Sequence, residues 1–210
     1  MITLEEILKS ANSYLDLEYA LPTGTELETR INFANQALRE GASAYKFREF
    51  SETYYALATT STVDLPENFR ELETQPVVEG SETTDSFEEI KPEKRHDKVE
   101  GEDYCYLTGA VGKYKLNFSG LEVNSTVTIQ YQRFPSAMAT YSDICELPDA
   151  DYVKLKLISY ILQSRSDERF PVVDADANLK LQNMIGRSMV FSPAGKLQIP
   201  SNQTYRLGRR

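Results

Sequence analysis

The chain reads as an α+β protein: a mainly helical body of about four helices, a small antiparallel β-sheet, and an extended C-terminal tail. Three observations predict this. Apolar residues recur at helical spacing in Leu4–Leu15, Leu27–Leu38 and Val153–Leu162. Strict alternation replaces that period between Tyr104 and Arg133. The last residues, from Leu197 on, carry scattered apolar groups and three arginines, too little to bury within their own domain.

The first helix is expected over 3–19. Thr3 followed by Glu6 is a capping box, and Leu4, Ile7, Leu8, Ala11 and Leu15 make one stripe. Leu21-Pro22-Thr23-Gly24 breaks the chain. A second capping box, Thr25 to Glu28, opens a helix over 25–41 with Leu27, Ile31, Ala34 and Leu38 inward and Gly41 at its end. Two such helices with a short connection are expected to pack as an antiparallel pair.

The β part spans 51–134 and includes a charged insertion. Thr53–Thr60 reads as a strand, Leu65–Leu72 as a short helical turn after Pro66, and Val77-Val78 as another short strand. Glu79 to Asp103 holds ten acids and four bases, and its large apolar exceptions are Phe87 and Ile90. It is expected to be a mobile loop or an extended hairpin arm. Strands follow at Tyr104–Thr108, Tyr114–Phe118 and Val127–Arg133, with turns at Gly109–Gly112 and Ser119-Gly120. Together they predict a small antiparallel sheet or meander.

Leu147-Pro148-Asp149 then opens a helix over 149–166, since carboxylates suit the unpaired N–H groups of a first turn. Tyr152, Leu155, Leu157, Ile158, Ile161 and Leu162 cover more than one of its faces. Such a helix belongs in the core or in a subunit interface. A last helix is expected over 174–187, capped by Asp174 or Asp176, with Phe170-Pro171 as a break before it and Gly186 or the stretch from Ser192 as its end. One domain thus runs over 1–196, and a basic tail over 197–210.

Bulk properties narrow the function. The net charge of −9 argues against a general nucleic-acid binder. The two cysteines, Cys105 and Cys145, stand far apart, without metal spacing, which points to reduced thiols. No apolar run reaches the length of a membrane span, and the acidic N-terminus is no signal peptide. There is no G-x-G-x-x-G, no Walker A loop, no H-E-x-x-H and no G-x-S-x-G. The lone His96 sits among Lys94, Arg95, Asp97 and Lys98, without the partners that catalysis or a metal requires. No cofactor, metal or catalytic residue is therefore expected. Thirteen tyrosines and no tryptophan point to packed surfaces and subunit contacts.

The order of short motifs adds to this. Leu65-Pro66-Glu67-Asn68-Phe69-Arg70-Glu71-Leu72 follows the first two helices. Thr128-Ile129-Gln130-Tyr131-Gln132-Arg133-Phe134-Pro135 closes the sheet. Leu147-Pro148-Asp149 opens the long apolar helix, and Arg165 and Asp167 lie near its end. This arrangement resembles the head-to-tail adaptor, or connector, proteins of tailed bacteriophages, over most of the chain. The resemblance implies a non-enzymatic virion protein, made in the host cytoplasm. It implies a homo-oligomeric ring, typically of twelve copies, docked beneath the portal protein and presenting a platform to the next neck or tail protein. Packaged DNA would pass through its channel without specific binding. The tail is the segment that would reach the portal, with Leu197, Ile199, Tyr205 and Leu207 as anchors and Arg206, Arg209 and Arg210 as charge-assisted contacts. The charged insertion is longer than a compact adaptor would carry, and is expected to reach a neighbouring subunit or ring. Two rival readings are another neck or tail component, such as a stopper or tail-completion protein, and a small hydrolase using paired acids.

Overall fold

The computed structural model describes residues 2–15, 21–79, 84–98, 103–121 and 124–191. It is an α+β fold with a helical body and a β-module, each with its own apolar core. The helices are α1 (Leu4–Tyr14), α2 (Gly24–Ser43), α3 (Ala150–Ser164) and α4 (Phe170–Phe191).

α1 starts as expected. The Thr3 side chain accepts from Glu6 N, and the Glu6 carboxylate accepts from Thr3 N at 2.8 Å. α2 starts differently: Thr23 is its N-cap and makes no side-chain cap bond, so Thr25 and Glu28 lie inside the helix and form no capping box. Gly24, at φ +59°, supplies the left-handed entry to α2. The two helices do not form a hairpin pair. Each packs chiefly on α3, and the buried Arg30 guanidinium of α2 donates to Asn12 Oδ1 of α1.

α3 is capped by Asp149, whose carboxylate accepts from Asp151 N at 3.0 Å. α4 begins a turn earlier than expected, at Phe170. Pro171 stands in its first turn, where a missing N–H costs nothing, so it opens the helix rather than ending what precedes it. Asp174 caps nothing; it faces α3, with Oδ1 taking hydrogen bonds from Lys156 Nζ (2.6 Å) and Ser159 Oγ (2.9 Å). Gly186 lies within α4.

The β-module has two sheets rather than one small antiparallel sheet. The first holds β1 (Ser51–Ala58), β9 (Ser125–Arg133), β4 (Val77–Glu79) and β5 (Thr84–Ser86), in that order, with β3 (Phe69–Leu72) also on β9. The second runs β2 (Thr62–Asp64), β8 (Lys113–Phe118), β7 (Tyr104–Ala110), β6 (Glu88–Glu89). β9 is the axis of the first sheet: β1 pairs along one side, while β3 and then β4 share the other. The β6–β7 pair is parallel. Val127, Ile129 and Tyr131 of β9 meet Leu116, Phe118 and Cys105 of the second sheet in a shared core.

The charged insertion is neither a free loop nor an arm over its described residues. Phe87 and Ile90 are buried, and β5 and β6 bind the segment to both sheets before a 3₁₀ turn at Pro92–Asp97. Two apolar anchors outweigh the surrounding charge because the charged side chains still face water. The Leu65–Leu72 segment is a turn leading into strand β3, not a helical turn, because β9 offers it a free edge.

Candidate functional site

Of the two places expected for the apolar residues of α3, core or subunit interface, the structure shows the core of this chain. Tyr152, Leu157, Ile158, Ile161 and Leu162 are buried and Leu155 is half-buried, covered by α1, α2 and α4. A helix apolar on several sides is here the hub of its own bundle, so most of the apolar surface of α3 is used within the chain. The tail residues Leu197, Ile199, Tyr205, Arg206, Leu207, Arg209 and Arg210 lie outside the described residues.

What the structure does bring together is the joint between the β-module and the helical body. Its centre is Arg133, the last residue of β9. Arg133 follows Val127, Ile129 and Tyr131 on the inward phase of the strand, and that phase carries its guanidinium off the end of the β core towards the helices. Nη1 and Nη2 donate to Glu146 Oε2 (2.8 Å) and Oε1 (3.3 Å), just upstream of the α3 cap. Nε lies 2.8 Å from Glu52 Oε1 of β1, an ion-pair contact out of line for a hydrogen bond. The guanidinium carbon stands 5.4 Å from the Phe50 ring centroid. The Tyr131 hydroxyl donates to Glu52 Oε2 at 2.8 Å.

A second arginine fastens the same joint. Arg70 of β3 donates from Nη1 to Ala42 O (2.5 Å) and from Nη2 to Ser43 O (3.3 Å), two carbonyls at the end of α2. Those carbonyls have no partner within their own helix, so an arginine fork suits them. Arg133 and Arg70 therefore tie the β-module to the starts and ends of different helices. The charged residue on the apolar phase of β9 is the signal by which sequence reasoning would have found this site.

Electrostatics favour the charged forms of Glu146 and Arg133. Burial pushes the Glu146 carboxyl up, but the Arg133 hydrogen bonds and the Ser136 N–H outweigh it and leave its pKa below the usual value. The Arg133 guanidinium is raised, chiefly by Glu146. Burial, then the bond to Glu52, pushes the Tyr131 phenol up to about 12, so it stays a neutral donor.

Beside the joint opens a cleft of about 570 Å³ between Tyr45–Ser51, the start of α3 and the Met184–Ser188 turn of α4. Its wall includes Glu73, which accepts from Ser51 Oγ and from Gln132 Nε2 (2.7 Å). Arg48 and Arg187 face it as cations, and Glu49 and Asp149 as acids. Cys105 and Cys145 are buried elsewhere, their thiols pushed up by burial to about 12 and about 11, which suits packing rather than nucleophilic attack. His96 is exposed on the 3₁₀ turn of the insertion. Among the described residues no group of three or more potential metal ligands forms, and no helix is long and apolar enough to cross a membrane.

Of the motif segments quoted for the adaptor resemblance, 65–72 and 128–135 meet at this joint, and 147–149 follows directly after it. Phe134 N donates to Asn68 O at 2.7 Å, Arg133 holds Glu146, and Leu147-Pro148-Asp149 follows directly into α3. The Arg165 and Asp167 positions form the turn between α3 and α4. Arg165 is the C-cap of α3, and the Asp167 carboxylate binds Arg169 at 3.0–3.1 Å rather than Arg165. No family model matches the chain, and among curated proteins none matches it.

Proposed function

We propose that the chain is a structural subunit of a tailed-phage neck, an adaptor whose ring joins the portal at the capsid vertex to the tail and extends the DNA channel. The observation that carries this reading is the convergence just described. Segments 65–72 and 128–135, scattered in sequence, meet at Phe134 N and Asn68 O, and each sends an arginine to the helical body, Arg70 to the end of α2 and Arg133 to Glu146 next to Leu147-Pro148-Asp149. An assembly subunit has to hold two binding bodies in fixed relation under load, and paired arginines at element ends do that. The burial of α3 leaves the ring contacts to other surfaces.

The charge distribution agrees with a channel lining. An acidic chain does not hold DNA phosphates, whose attraction to a basic ring would be strong and salt-dependent. The segment Ser192–Arg210, with four bases and no acid, is the candidate for docking on the portal. Copies tethered to one ring regain through effective concentration what each tail loses on ordering.

The test mixes purified protein with portal assemblies and images the product by negative-stain electron microscopy. Rings seated on the portal are expected, and loss of seating when Ser201–Arg210 is deleted, with the melting temperature unchanged. Contact with tails but not with portals would overturn the reading in favour of a tail-side component. Seating that survives the deletion would overturn the role of the tail.

A further inference from the structure

The β-module is a single insert in the helical body. It opens at Ser51 and closes at Arg133, and Ser51 stands opposite Gln132 in the β1–β9 pair, so the chain enters and leaves it side by side. On the helical side both connections are seated: Phe47 and Phe50 before the crossing, and Met138 and Leu147 after it, belong to the helical core. The two cores share no residue, and none of the four helices packs along a strand. Arg133 and Arg70 fasten the module at this crossing. Beside it opens the cleft of about 570 Å³, with Ser51 and Glu73 on the β-module wall and Arg187 and Ser188 of α4 on the other. A body held at one crossing, with a gap beside it, has the layout of a hinge.

The two walls carry groups that would match each other. Glu73 takes side-chain hydrogen bonds from neutral donors alone, Ser51 Oγ and Gln132 Nε2. Gln132 is 0% exposed, and its buried Oε1 meets no donor among the described residues. Burying an acceptor without a donor is costly. On the far wall Arg187 is exposed and pairs with no acid among the described residues. A guanidinium is a fork of N–H donors, which suits a carboxylate with a carbonyl next to it. The other two cations of the cleft are placed differently. Lys46 is engaged by Leu72 O at 3.1 Å and Glu71 at 3.4 Å. Arg48 sits on the turn that leads into β1, at the pivot, where pairing would draw nothing together.

We propose that the joint is a two-position clamp. The β-module tilts about the Ser51/Gln132 crossing, the cleft closes, and Arg187 lays its guanidinium on Glu73 and Gln132 Oε1. Arg133 and Arg70 lie at the pivot and hold through the tilt. Closed, three arginines span the joint and the angle between the modules is set. An ion pair still partly in water contributes modestly, so both positions are populated in the free protein.

The experiment uses the full chain without portal, so its failure leaves the neck reading untouched. Spin labels are placed on Thr74→Cys, next to Glu73, and on Asn183→Cys, one turn before Arg187; both positions are exposed, and Cys105 and Cys145 are buried. Pulsed dipolar spectroscopy then reads the distance across the cleft. A short and a long distance are expected in the otherwise unchanged chain. The short one is expected to vanish in Glu73→Gln and in Arg187→Gln, and to fade at about 1 M salt, where the screening length falls to about 3 Å. Should Glu73→Gln loosen the fold, as its melting temperature will show, Arg187→Gln on the exposed wall decides alone. A distribution unchanged by Arg187→Gln, or a short distance lost in Arg48→Gln and kept in Arg187→Gln, would overturn the clamp.

Discussion

Gly41 of α2 faces Tyr152 of α3 so closely that a Cβ on the glycine would lie 2.6 Å from Tyr152 Cε1. Tyr152 is 1% exposed and has nowhere to retreat. Helix propensity alone would favour alanine at 41 by about 1 kcal/mol. Overpacking a tight core costs about 1–3 kcal/mol and is expected to win. Gly41→Ala should therefore lower stability in urea denaturation, and Gly41→Val lower it further. A gain in the alanine variant would mean that α2 and α3 stand farther apart.

Arg133→Ala strands Glu146 and Glu52 at the joint. Glu146 is about three-quarters buried, so a loss of roughly 2–3 kcal/mol is expected, smaller than for a fully sealed pair. Adding Glu146→Gln should recover part of the loss, giving a coupling of about 1 kcal/mol in a double-mutant cycle. Additive effects would show that the two side chains act independently.

Acid should loosen the same joint and the contact between α3 and α4. Glu146 and Asp174 both have pKa values below the ordinary range: burial raises each, and hydrogen bonds from Arg133 and Ser136, or from Lys156 and Ser159, more than offset it. A depressed folded pKa contributes stability that is complete above the unfolded value, about 4, and is lost as pH falls through the folded one. Melting temperature followed by circular dichroism should therefore decline below roughly pH 4.5. Glu146→Gln should flatten that decline, and an unchanged acid limb would rule the residue out as a contributor.

Leu157 is 0% exposed at the centre of the helical body. Leu157→Asp exchanges buried hydrocarbon for an unpaired charge and should cost about 3 kcal/mol or more. A nearly unchanged melting temperature would place that side of α3 at a surface.

Both thiols should resist a mild disulfide reagent at pH 8 in the native protein and react fully in denaturant, since burial keeps them protonated and covered. Fast native labelling of either one would show that its cover opens.

Much of the fold was legible wherever a local rule sufficed. The Thr3–Glu6 box, the Asp149 cap and the alternation of β9 each rest on neighbours within a few residues, and each stands in the structure. The errors came where distant contacts decide. Gly41 looks like a helix end, yet it is a glycine for the sake of a tyrosine over a hundred positions away. Pro171 looks like a stop, although the same ring is at home in a first turn. Phe87 and Ile90 were visible among the acids, but composition hid that two anchors suffice to seat the segment. The joint was half legible: Arg133 on the apolar phase of β9 marks an unusual place, but nothing in Gln132-Arg133-Phe134 says that Glu146 will lie nearby. The wheel of α3 showed too much apolar surface without showing that three helices of the same chain would use it.

The position of β9 has a consequence for how the protein is made. β1, β3 and β4 all pair with it, and α1 and α2 both rest on α3, so each half of the molecule is completed by a piece translated after the parts it gathers. On the ribosome, the early strands must therefore wait for the chain to pass Arg133, and the first two helices for it to pass Leu162, with their sticky edges bare in the meantime. Slowing elongation over that interval should favour chaperone capture and lower the yield of native chain, even though no contact in the finished molecule is altered.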